Sequence, residues 1–462
     1  MINLLSNTKY TIHWVIFHTL LGLISTVTIF PLVGWFYVVL MSSLYEYRKT
    51  TTDQKNLLLL FLAAYLGTLE LLGRMAKTSP LIPYEISKYL FFCLFLLGII
   101  NLKNIKSIGW GMILLLLPSV FFDKSHEAFG YQSIVFNLLG PINVALAIIF
   151  CSKLMLNEIA YIKLFKMLIY ALLPSLIFTI LKTPDFETIE FALTANFNTS
   201  GGFGSNQVSS AFGLGMFIMF ISWILNWKLT SFVWLDIIIL LLFSFQGIMT
   251  FSRGGILGAV ISILVFLLLS IRYAGVKQKT KLMRVLGYSF VGGIALYFAF
   301  NIADNITNGM LSLRYQGETA GTFAGTKEQT INNMTSNRFD IFMGDVELWQ
   351  DNTLLGVGVG ASRYMRSKVE GVIAHVELSR LLAEHGILGL IYFILLIYVG
   401  IGLFKKVRSE FTPYYLINIS LFILAIFTTF HASMRTFITP LLIGISCVGL
   451  YSPNVKQSYI RS

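Results

Sequence analysis

Apolar runs separated by short polar turns recur along almost the whole chain. They fall near residues 12–30, 31–45, 57–73, 88–101, 108–122, 133–152 and 161–182. They continue near 206–225, 232–250, 255–271, 283–303, 387–404, 413–430 and 436–451. The pattern predicts about fourteen transmembrane helices, some near the lower length limit for crossing a bilayer, with only Pro31 between the first two. One hydrophilic segment interrupts the rhythm and divides the chain into an N-terminal bundle, 1–303, a loop, 304–386, and C-terminal helices, 387–462. The first half of that loop, YQGETAGTFAGTKEQTINNMTSN, has the Gly, Thr and Asn content of a lid or linker. From Arg338 onward, Phe339, Phe342, Val346 and Trp349 recur at helical spacing. That spacing predicts an amphipathic helix lying on the membrane or capping a cavity, ended by the GVGVG turn at 356–360. The expected architecture is all-α and polytopic, with one long loop carrying amphipathic helices.

Composition narrows the class. With 56% hydrophobic and 12% charged residues, the chain is excluded from the soluble globules. Cys93, Cys151 and Cys447 lie in apolar runs without paired spacing, which argues against a disulfide framework, a zinc knuckle or a redox motif. Lys9 precedes an apolar run that no cleavage site follows, so the first span reads as retained.

Charge then sets the expected orientation. Cytoplasmic loops retain basic residues, and a cytoplasmic N-terminus leaves 15 of 21 lysines inside. The inner markers include Lys9, Lys277, Lys456 and Arg461, whereas Lys124 falls outside. Both termini are then cytoplasmic and 304–386 is extracytoplasmic. Arginine breaks the trend: 8 of 13 lie outside, namely Arg74, Arg253, Arg314, Arg338, Arg363, Arg366, Arg380 and Arg435. Its planar fork suits two-pronged phosphate binding, so this face suggests a phosphorylated ligand, with lipid headgroups as the bland alternative. The net charge of +12 adds only topology and anionic lipid, and nucleic acid is not implied.

The stretch AHVELSRLLAEHGILGL, 374–390, concentrates ionisable residues at the mouth of a span. On an ideal helix Glu377, Arg380 and Glu384 form an ion ladder, while His375 and Ser379 face the other way.

Four motifs carry a family resemblance. They are FSRGG (251–255), SNRFDIFMGDVELWQDNTLLGVGVG (336–360), the histidine and helix of 374–390, and GGFGSNQVSSAFGLG (201–215). Together they resemble the O-antigen polymerase and ligase superfamily over about residues 197–400. RMAKTSPLIPYEISKY, 74–89, is similar to the polymerase branch. Many members carry Asn after the motif histidine, where Val376 stands here, so a sugar-holding role for that position is in doubt.

The resemblance implies a GT-C-like helical membrane glycosyltransferase on the periplasmic face of a bacterial inner membrane. It would polymerise oligosaccharide repeat units carried on undecaprenyl diphosphate, with no cofactor. Lipid-linked donor and acceptor, membrane lipids, a flippase and a chain-length regulator are the implied partners. Arg253, Arg338 and Arg74 are the expected diphosphate ligands and His375 the general base. Arg363, Arg366, Arg380 and Arg435 are further candidate substrate contacts. Asn206 is placed either to cap the following span or to touch sugar. The first outer turn has no carboxylate and no Asp-x-Asp occurs, so metal independence is expected. Two alternatives stand beside polymerisation: ligation of finished polysaccharide to the lipid A core, and transport of a small anion. Sparse mid-span ionisables, His18 and Glu70 among them, and no visible repeat disfavour transport.

Overall fold

A computed structural model describes residues 5, 10–122, 126–189, 191–273, 279–335, 338–410, 412–432, 434 and 436–451. Arg435 and the charge markers Lys9, Lys124, Lys277, Lys456 and Arg461 lie outside the described residues. The bundle begins with α1 (Thr11–Ser25), α2 (Phe30–Lys49), α3 (Thr52–Met75), α4 (Ile86–Ile100), α5 (Ile108–Leu116) and α6 (Pro118–Phe121). It continues with α7 (His126–Cys151, broken at Gly130), α8 (Glu158–Lys182), α9 (Ser205–Ile224), α10 (Val233–Met249), α11 (Arg253–Tyr273) and α12 (Lys279–Ile306). The hydrophilic segment expected to lie outside, here called the outer segment, holds α13 (Met310–Gln316), α14 (Ala320–Phe323), α15 (Ile331–Met334), α16 (Arg338–Asp351), α17 (Ser362–Met365) and α18 (Glu377–His385). Then α19 (Ile387–Ser409), α20 (Pro413–His431) and α21 (Ile438–Cys447) close the chain. A two-residue parallel bridge joins Met155–Leu156 to Gly449–Leu450.

Every apolar window coincides with a helix, but length and apolarity support fewer crossings than fourteen. Among the described residues, 8 helices are long and apolar enough to cross a membrane. Thr11–Ser25, Ile86–Ile100, Ile108–Phe121, Val233–Met249 and Ile438–Cys447 are apolar but shorter. A 15-residue helix such as α1 rises about 22 Å, short of the roughly 30 Å hydrocarbon core.

Helices α9, α11 and α20 meet at the end of the bundle that the outer segment covers. A Cβ on Gly255 would lie 2.2 Å from the backbone carbon of Ser209, so α11 approaches α9 backbone to backbone. A Cβ on Gly254 would lie 2.5 Å from the His431 ring, which fixes α20 on the next face.

The outer segment is folded throughout its described length. The stretch expected to be a lid or linker contains two single-turn helices, capped by the Thr319 and Thr330 side chains. In α16 the buried face is Ile341, Gly344 and Asp345 rather than the Phe339–Phe342–Val346–Trp349 stripe, because α16 packs on α18 through a polar contact. That contact centres on Asp345, which accepts from Arg366 Nε at 2.7 Å and Ser379 Oγ at 2.8 Å. The GVGVG turn lies along the end of α18, where Val357 N donates to Ala383 O at 2.9 Å and Gly358 N to Glu384 O at 3.1 Å. These bonds satisfy carbonyls that the helix end leaves open. The 374–390 stretch is two helices, with Gly386 between them at φ +62°. α18 starts at Glu377, so His375 lies in the loop before it.

Candidate functional site

The FSRGG motif forms the start of α11. Phe251 adopts a left-handed φ of 57° and is buried, its ring stacked on Phe191 at 5.6 Å. Ser209 Oγ donates to the Ser252 carbonyl at 2.7 Å, and Ser252 Oγ donates to Asn206 Oδ1 at 2.7 Å. With the two glycines pressed against α9 and α20, Arg253 is fixed at the helix end. Its guanidinium donates to the carbonyls of Arg314 at 3.1 Å and Met334 at 2.6 Å, tying the outer segment to the bundle.

Beside this tie opens a cavity of about 1010 Å³. Arg253, Arg314, Arg338, Tyr315, Asn206 and His375 supply much of its polar lining, and Phe251, Leu257, Phe342, Val372 and Phe430 much of its apolar lining. Among the described residues no Asp or Glu lines it. Three cations therefore share one partly open cavity without a described carboxylate on its wall. Burial, then Arg253 and Arg338, hold the Arg314 guanidinium down from 12.5 to about 10. Burial, then Arg253, depress Arg338 as well. Arg338 has no hydrogen-bond or ion-pair partner for its guanidinium among the described residues, whereas Arg314 donates to Leu193 O at 3.0 Å.

The other expected arginines sit elsewhere. Arg74 does not line the cavity. Its Nε pairs with Glu70, and Nη2 lies 3.1 Å from Glu85. Nη1 donates to Gln207 Oε1 at 2.9 Å, and Tyr84 and Phe203 cover the plane. Arg366 is fully buried against Asp345 and donates to Val372 O at 2.6 Å. Arg380 is buried in the ladder, paired with Glu377 and 3.1 Å from Glu384, and Glu377 also accepts from Met434 N at 3.0 Å. Arg363 lies over the Tyr364 ring at 4.6 Å, away from the cavity lining. Each of the three buried pairs has carboxylates that neutralise it, which leaves little reason for an anionic ligand.

Asn206 is the second residue of α9. Gly204 occupies the cap position without a side-chain cap, so Asn206 lines the cavity instead of capping. His375 is half-buried on the wall with Val376 beside it, which puts the position where this chain departs from the family pattern in contact with the same space. The remaining buried histidines have structural partners. His18 bonds Tyr65 Oη at 2.6 Å, His385 meets Ser119 Oγ at 2.6 Å, and His431 meets Ser210 Oγ at 2.7 Å behind Gly254. Burial, then Arg380, lower His385 to about 3, so it is neutral. Glu70, the other mid-span ionisable, is taken by Arg74.

The sequence places Arg314 among eight similar arginines without a mark of its own, and no motif announces Tyr315 or His431. Arg314 and Tyr315 open the Gly- and Thr-rich stretch, whose composition hid them. His431 ends a span, and only the packing reveals that it backs Gly254.

No curated protein matches the chain. Residues 237–394, about a third of the chain, match the family model described as O-antigen ligase, a region that holds Arg253, Arg314, Arg338 and His375, and the match supports the resemblance to the O-antigen polymerase/ligase superfamily.

Proposed function

We propose that the protein is a metal-independent membrane glycosyltransferase. It joins oligosaccharide repeat units carried on undecaprenyl diphosphate into an O-antigen or capsule-like polysaccharide on the periplasmic face of the inner membrane. The observation that carries this reading is Arg338, half-buried beside Arg253 and Arg314 with no Asp or Glu among the described residues of the cavity wall. Enclosing like charges is unfavourable unless an anion joins them, and a diphosphate offers several oxygens to guanidinium forks. Leu257 on α11 and Phe430 on α20 are exposed beside these cations, giving a polyprenyl chain an apolar flank.

In this scheme the acceptor hydroxyl oxygen attacks the anomeric carbon of the donor while its proton passes to the His375 imidazole. The bond from that carbon to the diphosphate oxygen breaks, and the electron pair leaves with the diphosphate. Positive charge placed where this negative charge develops lowers the barrier. Arg314 and Arg338 supply it, and Arg253 adds the N–H groups it does not spend on carbonyls. A second lipid-linked unit is the acceptor, a flippase delivers both, and a chain-length regulator limits the product.

The family description favours a second reading, ligation of finished polysaccharide to the lipid A core, which would use the same arginines and histidine. Deleting the gene and resolving surface polysaccharide on a gel separates the two. Single repeat units on the lipid A core indicate a lost polymerase. Absence of attached polysaccharide, with long chains accumulating on undecaprenyl diphosphate, indicates a lost ligase. An unchanged gel pattern refutes both.

A further inference from the structure

Tyr315 follows Arg314 in α13 and also lines the cavity. The corner that positions it is braced: Asp304 accepts from Ser312 N at 2.8 Å and Ser312 Oγ at 2.6 Å. The Tyr315 ring stands edge-on to Phe300 at 5.5 Å, which fixes its direction. Its hydroxyl makes no hydrogen bond to any described residue. The hydroxyl therefore borders the cavity beside three guanidinium groups with its donor unspent on the described residues, and it can donate to an anion held there.

We propose that the Tyr315 hydroxyl is a further substrate-binding group, donating a hydrogen bond to a non-bridging diphosphate oxygen beside the three arginines. The inference rests on the diphosphate reading above. Burial pushes the phenol up to about 12, against the opposing pull of Arg253, so it stays a neutral donor at physiological pH. A neutral O–H adds a directed bond to the anion without adding to the repulsion among the guanidinium groups.

The test is Tyr315→Phe in the purified full-length protein, measured for binding of undecaprenyl diphosphate, with phosphatidylglycerol vesicles as the headgroup control. A hydrogen bond to a charged group predicts binding weakened by about 10-fold or more, to the same degree from pH 6 to 9. The thermal midpoint should not move, because the ring keeps its contact with Phe300. An equal loss for phosphatidylglycerol overturns the diphosphate assignment in favour of a general headgroup contact. A thermal midpoint that falls in step with affinity makes the hydroxyl structural and overturns it too. Unchanged affinity in Tyr315→Phe alongside weakened binding in Arg338→Gln removes the tyrosine only. Unchanged affinity in both removes the diphosphate reading itself.

Discussion

Replacing Arg338 with Gln should separate binding from stability, because the ligand-free protein holds this arginine at a disadvantage. Its guanidinium has no partner among the described residues. It also opens α16, where a cation opposes the helix dipole by about 0.3–1 kcal/mol. The neighbouring Arg314 carries the same kind of burden, its guanidinium held down from 12.5 to about 10. Burial accounts for the largest part of that, and repulsion from Arg253 and Arg338 adds to it. Without ligand, Arg338→Gln should therefore unfold at the wild-type temperature or slightly above it, a gain on the order of 0.5 kcal/mol. With ligand the order reverses. Losing charge-assisted hydrogen bonds worth about 1.5–3 kcal/mol should weaken undecaprenyl diphosphate binding by about 10- to 150-fold. Arg366→Gln is the control, since it breaks a fully buried pair with Asp345 at 2.7 Å and should destabilise by about 3–5 kcal/mol. Thermal unfolding of detergent-purified protein with and without the lipid reads both quantities. If Arg338→Gln loses as much stability as Arg366→Gln while its lipid affinity stays intact, the arginine is a structural residue and the reasoning is wrong.

His375→Ala should lower turnover by about 10²- to 10⁴-fold while donor binding survives. Poor donor binding with normal turnover of what is bound would make His375 a ligand contact instead. Activity on lipid-linked repeat units should persist in excess EDTA; complete loss restored by magnesium or manganese would refute the metal-independent scheme. In a background lacking Cys93, Cys151 and Cys447, a membrane-impermeant thiol reagent should label Thr326→Cys in outer-membrane-permeabilised cells and spare Ser409→Cys. The opposite labelling pattern would invert the orientation and the site assignment with it.

The helices were legible because each apolar window carries its own hydrophobic signal. The crossings were less so: α1 and α4 are as apolar as the longer spans but contain 15 residues each, and window hydropathy does not measure what packs against them. In the outer segment the expected stripe on α16 gave way to Ile341, Gly344 and Asp345. Periodicity counts apolar faces, whereas this face is held by an aspartate whose partners, Arg366 and Ser379, come from other elements. The FSRGG motif lies on the cavity wall, but the reason for its glycines lies in Ser209 and His431, far along the chain.

The arginines show most plainly what a sequence conceals. All eight outer arginines look alike as letters, and what separates a structural one from a ligand-binding one is whether a carboxylate has already neutralised it. For Arg380 that was readable, since Glu377 and Glu384 stand three and four residues away on one helix. For Arg366 the partner Asp345 lies 21 residues upstream on another helix, and nothing local announces it. Arg74 combines both situations, with Glu70 one turn away and Glu85 across a loop, so an arginine expected to grip the diphosphate is drawn into a network of its own. Of the other five, Arg435 lies outside the described residues and Arg363 lies over Tyr364 away from the cavity, whereas Arg253, Arg314 and Arg338 share a cavity wall without a described carboxylate. A cation held in an enclosed space at an energetic disadvantage is better evidence for an anionic ligand than a cation in a conspicuous motif, because folding alone would favour its removal.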